Sequence, residues 1–400
     1  MKSPLHLTVS TILAALCFLA PSACTADDVA AGPVKVFILS GQSNMEGKAA
    51  AYTLERVLKD KPDDPRLSRL MKDGEWEVRD DVWVTFLGRS DKQATELARK
   101  FGPLTAGFGS QKTDRNADNQ KIAVAGIGPE LGIGQVLGDH FGERVLLIKT
   151  AWGGRAVKYT FRPPSAIPTD DEIRAEVAAI KERKPEAEVT FESHKEGYGQ
   201  DYRAILSETK KVLDDIGAYF PDYDKSQGYE IAGFIWFQGW NDGCGNGNPD
   251  YVPQMQHFIR DIRKDLKTPN LPVVIGELGT DGEAGEGWIS IFRTQQAEIA
   301  ATPEFKGTIR LAKTAHCWPT PPDMNDRWQA FRAEAQENEA KPKDDPTRID
   351  PGEYYVQNWV VRYRDLLRYT SDKRYHYLGS GECYFRMGVS MGEAMLELLK

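Results

Sequence analysis

The residues best placed for chemistry begin in Val34-Lys-Val-Phe-Ile-Leu-Ser40-Gly41-Gln42-Ser43-Asn44-Met45-Glu46-Gly47, where an apolar run ends in a polar, Gly-flanked loop. In an open α/β sheet, reactive groups collect at the carboxyl ends of strands, where backbone N–H groups point outward. Ser43 stands at such an end. A serine there otherwise serves as a turn residue or helix N-cap, so its meaning depends on partners elsewhere in the chain. Acyl transfer needs a nucleophile, a base and donors for the oxyanion. Two more strand-end loops, Trp152-Gly153-Gly154 and Gln238-Gly239, supply candidate donors beside the Ser43 N–H: the N–H of Gly153 or Gly154 and the Gln238 side chain.

Six histidines are available as the base. His6 lies in an N-terminal apolar segment, and His140, His194 and His257 lie in helical or charged surface stretches. That leaves His316 and His376. The latter follows Asp372 by four residues in Ser371-Asp-Lys-Arg-Tyr-His-Tyr-Leu-Gly379, and a nearby carboxylate would orient its ring. Trp152, Trp240, Trp318 and Tyr377 lie in or beside these segments, where rings can stack on sugar faces or simply form the core. Asn44, Trp152 and Trp240 are the candidate substrate contacts.

The elements that must position these residues alternate between apolar runs and helix-period stretches, which predicts an α/β fold with a mainly parallel sheet. Strands are expected at 34–40, 82–87, 144–149, 231–237, 272–276 and 308–312. Helices are expected at 128–141, 199–217, 251–266, 288–301 and 391–399. Residues 160–195 and 319–350, rich in charge and proline, read as surface insertions on a single domain spanning 27–400. Residues 1–26 have the layout of a secretory signal peptide, with a lipid anchor at Cys24 as the less favoured alternative. No other run is long enough for a transmembrane span.

The 400-residue chain carries a net charge of −8, which disfavours nucleic acid as a partner. Cys244, Cys317 and Cys383 are too few and too scattered for a disulfide framework, and no zinc-binding spacing appears. Asp242-Gly-Cys-Gly-Asn-Gly-Asn-Pro-Asp250 lacks the spacing and closing Glu of a calcium loop and reads as a turn.

Five blocks in order, Gly41-Gln-Ser-Asn-Met-Glu-Gly47, Gly128-Pro-Glu-Leu-Gly132, Lys149-Thr-Ala-Trp-Gly-Gly154, Trp236-Phe-Gln-Gly239 and the late His376, resemble the sialate O-acetylesterase-like branch of the SGNH hydrolases. The resemblance implies a three-layer α/β/α sandwich with a flavodoxin-like sheet, a Ser–His–Asp triad, no cofactor and no metal, and removal of acetyl groups from sugar hydroxyls. By position it makes Ser43 the nucleophile and His376 the base, with Ser43, Gly153 or Gly154, and Gln238 around the oxyanion. The chain departs from that pattern twice. Trp240 stands where the family has a glutamate, and Lys373 stands where it has the triad aspartate, with Asp372 one residue further away. A bent loop bringing in Asp372 and a Ser–His dyad both remain open. A non-catalytic carbohydrate-binding protein on the same scaffold is the alternative function.

Overall fold

The computed structural model describes residues 32–88, 99–115, 121–142, 144–221, 223–320 and 324–400, and the expected signal peptide with Cys24 lies outside them. The apolar runs form strands β1 (Val34–Gly41) and β2 (Arg79–Leu87). An unforeseen β3 (Arg99–Leu104) is followed by β4 (Val145–Ala151) and β5 (Tyr229–Phe237). The series ends with β6 (Val273–Gly276) and β7 (Ile309–Ala312). β3 escapes a sequence reading because Gly102 and Pro103 break its pattern, which only an edge strand tolerates.

These seven strands join one sheet in the order β7-β6-β5-β1-β4-β2-β3, and shorter strands form separate two-stranded pairs. Neighbours run parallel except the edge pair β2–β3. The run β4-β1-β5-β6-β7 has the flavodoxin order, so the chain reverses direction across the sheet between β1 and β5. That is where a crevice opens at the carboxyl ends of the strands. The register brings the three ends level, because Gly41 pairs with Ala151 on one side and with Phe237 on the other.

Alternation along β1 fixes the layers. Phe37 and Leu39 join a core with helices α1 (Ala51–Asp60), α2 (Glu130–Phe141) and α6 (Gly381–Leu398). Ile38 joins the opposite core with α3 (Gln200–Asp214), α4 (Tyr251–Asp265) and α5 (Trp288–Ala300). The closing helix starts ten residues before the expected 391, at Gly381, where the Ser380 hydroxyl caps it by accepting from the Cys383 N–H. Its first turns carry Gly381 and Gly388, weak helix formers on intrinsic propensity, and packing overrides that preference.

Gly132 and Gly388 let α2 and α6 cross in near contact. A Cβ on Gly132 would lie 2.1 Å from the Phe385 carbonyl oxygen, and one on Gly388 2.1 Å from that of Pro129. Residues 31–400 form one compact unit. Within it, 160–195 contribute the helices Asp170–Arg183 and Phe191–Gly197, and 319–350 the helix Met324–Ala340. Among the described residues no helix is long and apolar enough to cross a membrane.

Gly132→Ala should therefore cost about 1–3 kcal/mol of folding stability through forced separation of α2 and α6. Urea unfolding reads it, and a change below about 0.5 kcal/mol would show that the crossing adapts freely.

Candidate active site

After Gly41 the chain makes a four-residue helical turn, Ser43–Glu46, whose first N–H groups have no partner within the turn. The turn is held tightly. Gly41 allows the Phe237 backbone to approach, since a Cβ there would lie 2.1 Å from the Phe237 oxygen. At the other end Gly47, at φ 84°, presses on Gly128 in the same way. Beneath it the Lys149 ammonium, fully buried on β4, donates to the Glu46 carbonyl (2.7 Å), the Phe108 carbonyl (3.0 Å) and the Glu130 carboxylate (2.7 Å). Glu130 in turn accepts from the Gly128 N–H at 2.9 Å. Burial pushes the Lys149 pKa down, and the Glu130 charge opposes that.

The turn borders a cleft of about 360 Å³ at the β1/β5 reversal. Ser43, Gln42 and Lys48 line it from the β1 loop, Gly153 and Gly154 from the β4 loop, Trp240 and Asn241 from the β5 loop, and Tyr375 and His376 from the segment before α6. Gly153 sits so close that a Cβ would lie 3.4 Å from the Ser43 Cβ and 3.2 Å from Glu46 Oε2. Four chain segments, distant in sequence, thus bring Ser43, His376 and two exposed glycines to one place.

His376 Nδ1 lies 2.9 Å from Asp372 Oδ2. The four-residue separation closes because the chain doubles back. The Leu378 carbonyl accepts from the Ser371 and Asp372 N–H groups at 2.8 and 2.9 Å, and the Lys373 carbonyl accepts from those of His376 and Leu378 at 2.9 and 3.0 Å. The reversal puts two consecutive non-glycine residues, Tyr377 (φ 50°) and Leu378 (φ 55°), in the left-handed region. Each costs roughly 1–2 kcal/mol. Core contacts hold them there: Tyr377 is fully buried among Phe237, Trp318 and Tyr384, and its hydroxyl accepts from the Gly279 N–H at 2.8 Å. The Arg374 guanidinium pairs with Asp281 on the same side.

Several expected contacts fall elsewhere. Gln238 is buried with its Nε2 donating to Asp242 (2.6 Å) and the Arg155 carbonyl (3.3 Å), so its amide is turned away from the cleft. Asp242 is a structural hub. It also accepts from Asn248 (2.7 Å) and from the Val157 and Lys158 N–H groups (2.6 and 3.1 Å); burial raises its pKa while these donors pull it back. Asn44 does not line the cleft: its Nδ2 donates to the Tyr375 carbonyl (3.2 Å), and its Oδ1 accepts from the Tyr384 hydroxyl (2.9 Å). Trp152 is buried against Phe161, its indole N–H on the Leu87 carbonyl, and Tyr377 and Trp318 pack with the core. Of the named rings, Trp240 reaches the cleft, edge-on to Trp288 and 5.5 Å from Tyr375.

Asn241, which sequence reasoning missed, lines the cleft where Gln238 does not. Gln42 Oε1 accepts from the Gly239 and Asn241 N–H groups (3.3 Å each), and Gln42 Nε2 donates to Asn241 Oδ1 (2.9 Å). With its oxygen accepting from Gln42, Asn241 keeps an NH₂ group with donor capacity on the residue that lines the cleft. The available signal was a second amide three residues beyond Gln238, on the short helical turn Trp240–Gly243.

The arrangement of a strand-end serine, an oriented imidazole, two glycines and a fixed amide suits attack on a carbonyl carbon, and the class it defines is a carboxylic ester hydrolase. Residues 33–311 match the family described as "SASA: Carbohydrate esterase, sialic acid-specific acetylesterase". The chain belongs to this family of carbohydrate esterases. No curated protein sequence matches it. Three solved structures resemble it distantly. A protein from Arabidopsis thaliana is 15% identical, covering 91% of this chain and 98% of its own, with a TM-score of 0.44. A carbohydrate acetylesterase from Xanthomonas citri is 15% identical over 72% of this chain and 51% of its own, with a TM-score of 0.40. NanS is 16% identical over 71% and 78%, with a TM-score of 0.37.

Replacing Lys149 by Met should leave the buried Glu130 carboxylate uncompensated and destabilise the protein by about 3–5 kcal/mol. Denaturant titration of the variant measures this. Wild-type stability in Lys149→Met would mean that the ion pair does not hold the Ser43 turn.

Proposed function

We propose that the protein is an exported esterase that removes O-acetyl groups from carbohydrates by a Ser43–His376–Asp372 mechanism. The observation that carries this reading is the shared cleft: Ser43 and His376 line it together, and His376 Nδ1 is engaged by Asp372. With the Nδ1–H donated to the carboxylate, Nε2 is the basic nitrogen. It takes the Ser43 proton as Oγ bonds to the acetyl carbon. The Ser43 and Gly153 N–H groups and the Asn241 NH₂ receive the oxyanion, with Asn241 replacing Gln238 in that role. The sugar alcohol leaves with the proton from His376. Water, deprotonated by the same ring, then attacks the acetyl-serine, and collapse releases acetate and returns the proton to Ser43.

Trp240 and Tyr375 offer apolar faces on which a sugar ring can stack. Trp240 replaces the glutamate suggested by the family resemblance, which favours stacking over hydrogen bonding on that wall. Export rests on the signal-like layout of residues 1–26.

Acetate release from p-nitrophenyl acetate and an acetylated xylan tests the reading. Ser43→Ala should abolish turnover, and Asp372→Asn should lower kcat by about 10⁴ if the triad operates. Asn241→Ala should cost roughly 10²–10³ in kcat, with Km little changed. Full activity in Ser43→Ala would overturn the mechanism. A folded wild type inactive on a range of acetylated sugars would favour a binding protein. A loss confined to Gln238→Ala, with Asn241→Ala unaffected, would restore the glutamine as donor.

A further inference from the structure

Beside Ser43 and Gly153 lies a buried carboxylate that the proposed mechanism does not use. Glu46 is buried, and its Oε2 lies 3.2 Å from the point beside Gly153 that is itself 3.4 Å from the Ser43 Cβ. A negative charge so near the place where an acyl-transfer oxyanion forms opposes that step. Lys149 attracts it through space, but its direct contacts are the Glu46 carbonyl and the Glu130 carboxylate, so it makes no ion pair with the Glu46 carboxylate. Among the described residues the counter-ion of the Glu46 carboxylate is Lys48, 2.8 Å from Oε2, with the Ser110 hydroxyl donating at 3.3 Å. Lys48 also lines the cleft.

We infer that Lys48 is a positioning residue of the active site, whose ammonium neutralises Glu46 and so keeps a negative field off the oxyanion. The inference rests on the ester hydrolase reading and deepens it. Lys48 acts on the transition state through Glu46, so its loss falls on kcat and is undone when the glutamate charge is removed as well. At this range and an effective dielectric of about 20, one uncompensated charge alters a charge-forming step by on the order of 10–100-fold.

Kinetics on p-nitrophenyl acetate, a neutral ester with no sugar to contact, provide the test. Lys48→Met should lose on the order of 10–100-fold in kcat with Km within about twofold of wild type. The double variant Lys48→Met/Glu46→Gln should return to within a few-fold of wild type, and Lys48→Arg should stay close to it. If Lys48→Met does not fold, Lys48→Gln carries the same comparison. Unchanged kcat in the single variant overturns the inference, as does a loss that Glu46→Gln fails to relieve. Either result with an active wild type leaves the esterase reading standing, whereas a wild type that cleaves no acetyl ester removes both.

Discussion

The site depends first on the ion pair between Lys149 and Glu130, both buried away from water. Two charges taken into the interior are tolerated only when geometry is good and the remaining donors are satisfied. Here the ammonium meets three acceptors, and Glu130 also accepts from the Gly128 N–H. Those contacts tie together the Ser43 turn, the loop before α2 and the end of β4. The blocks Gly41–Gly47, Gly128–Gly132 and Lys149–Gly154 are therefore one physical unit. The close approach of Gly47 to Gly128 has the same origin, because side chains there would separate the loop from the lysine beneath it.

The strands that carry the site were legible because each is an apolar run ending in a Gly-rich loop, and parallel strands buried on both faces have that appearance. That Ser43 and His376 line one cleft was legible for a related reason: few residues of the right chemistry stand at strand ends or just before the closing helix. Side-chain direction was not legible. Gln238 and Asn241 are both amides in one loop, and only the short turn after Gly239 decides which faces the cleft. Trp152 and Tyr377 show the same limit, since an aromatic ring near a site has the same sequence signature whether it contacts ligand or fills the core. The Asp372 spacing was ambiguous because two left-handed residues, Tyr377 and Leu378, create the reversal, and neither is a residue type that announces it.

The Ser43 turn and the His376 loop are anchored independently. The first is fixed from below by Lys149, the second by the buried Tyr377 ring and the Arg374–Asp281 pair. Catalytic geometry requires that the two be set against each other to within a fraction of an ångström. Asn44 does this directly. It follows Ser43 in the chain, and its amide spans the Tyr375 carbonyl, next to His376, and the Tyr384 hydroxyl on α6. A substrate contact from Asn44 would break that link. Its amide instead joins the strained His376 loop and the Ser43 turn through hydrogen bonds inside the protein.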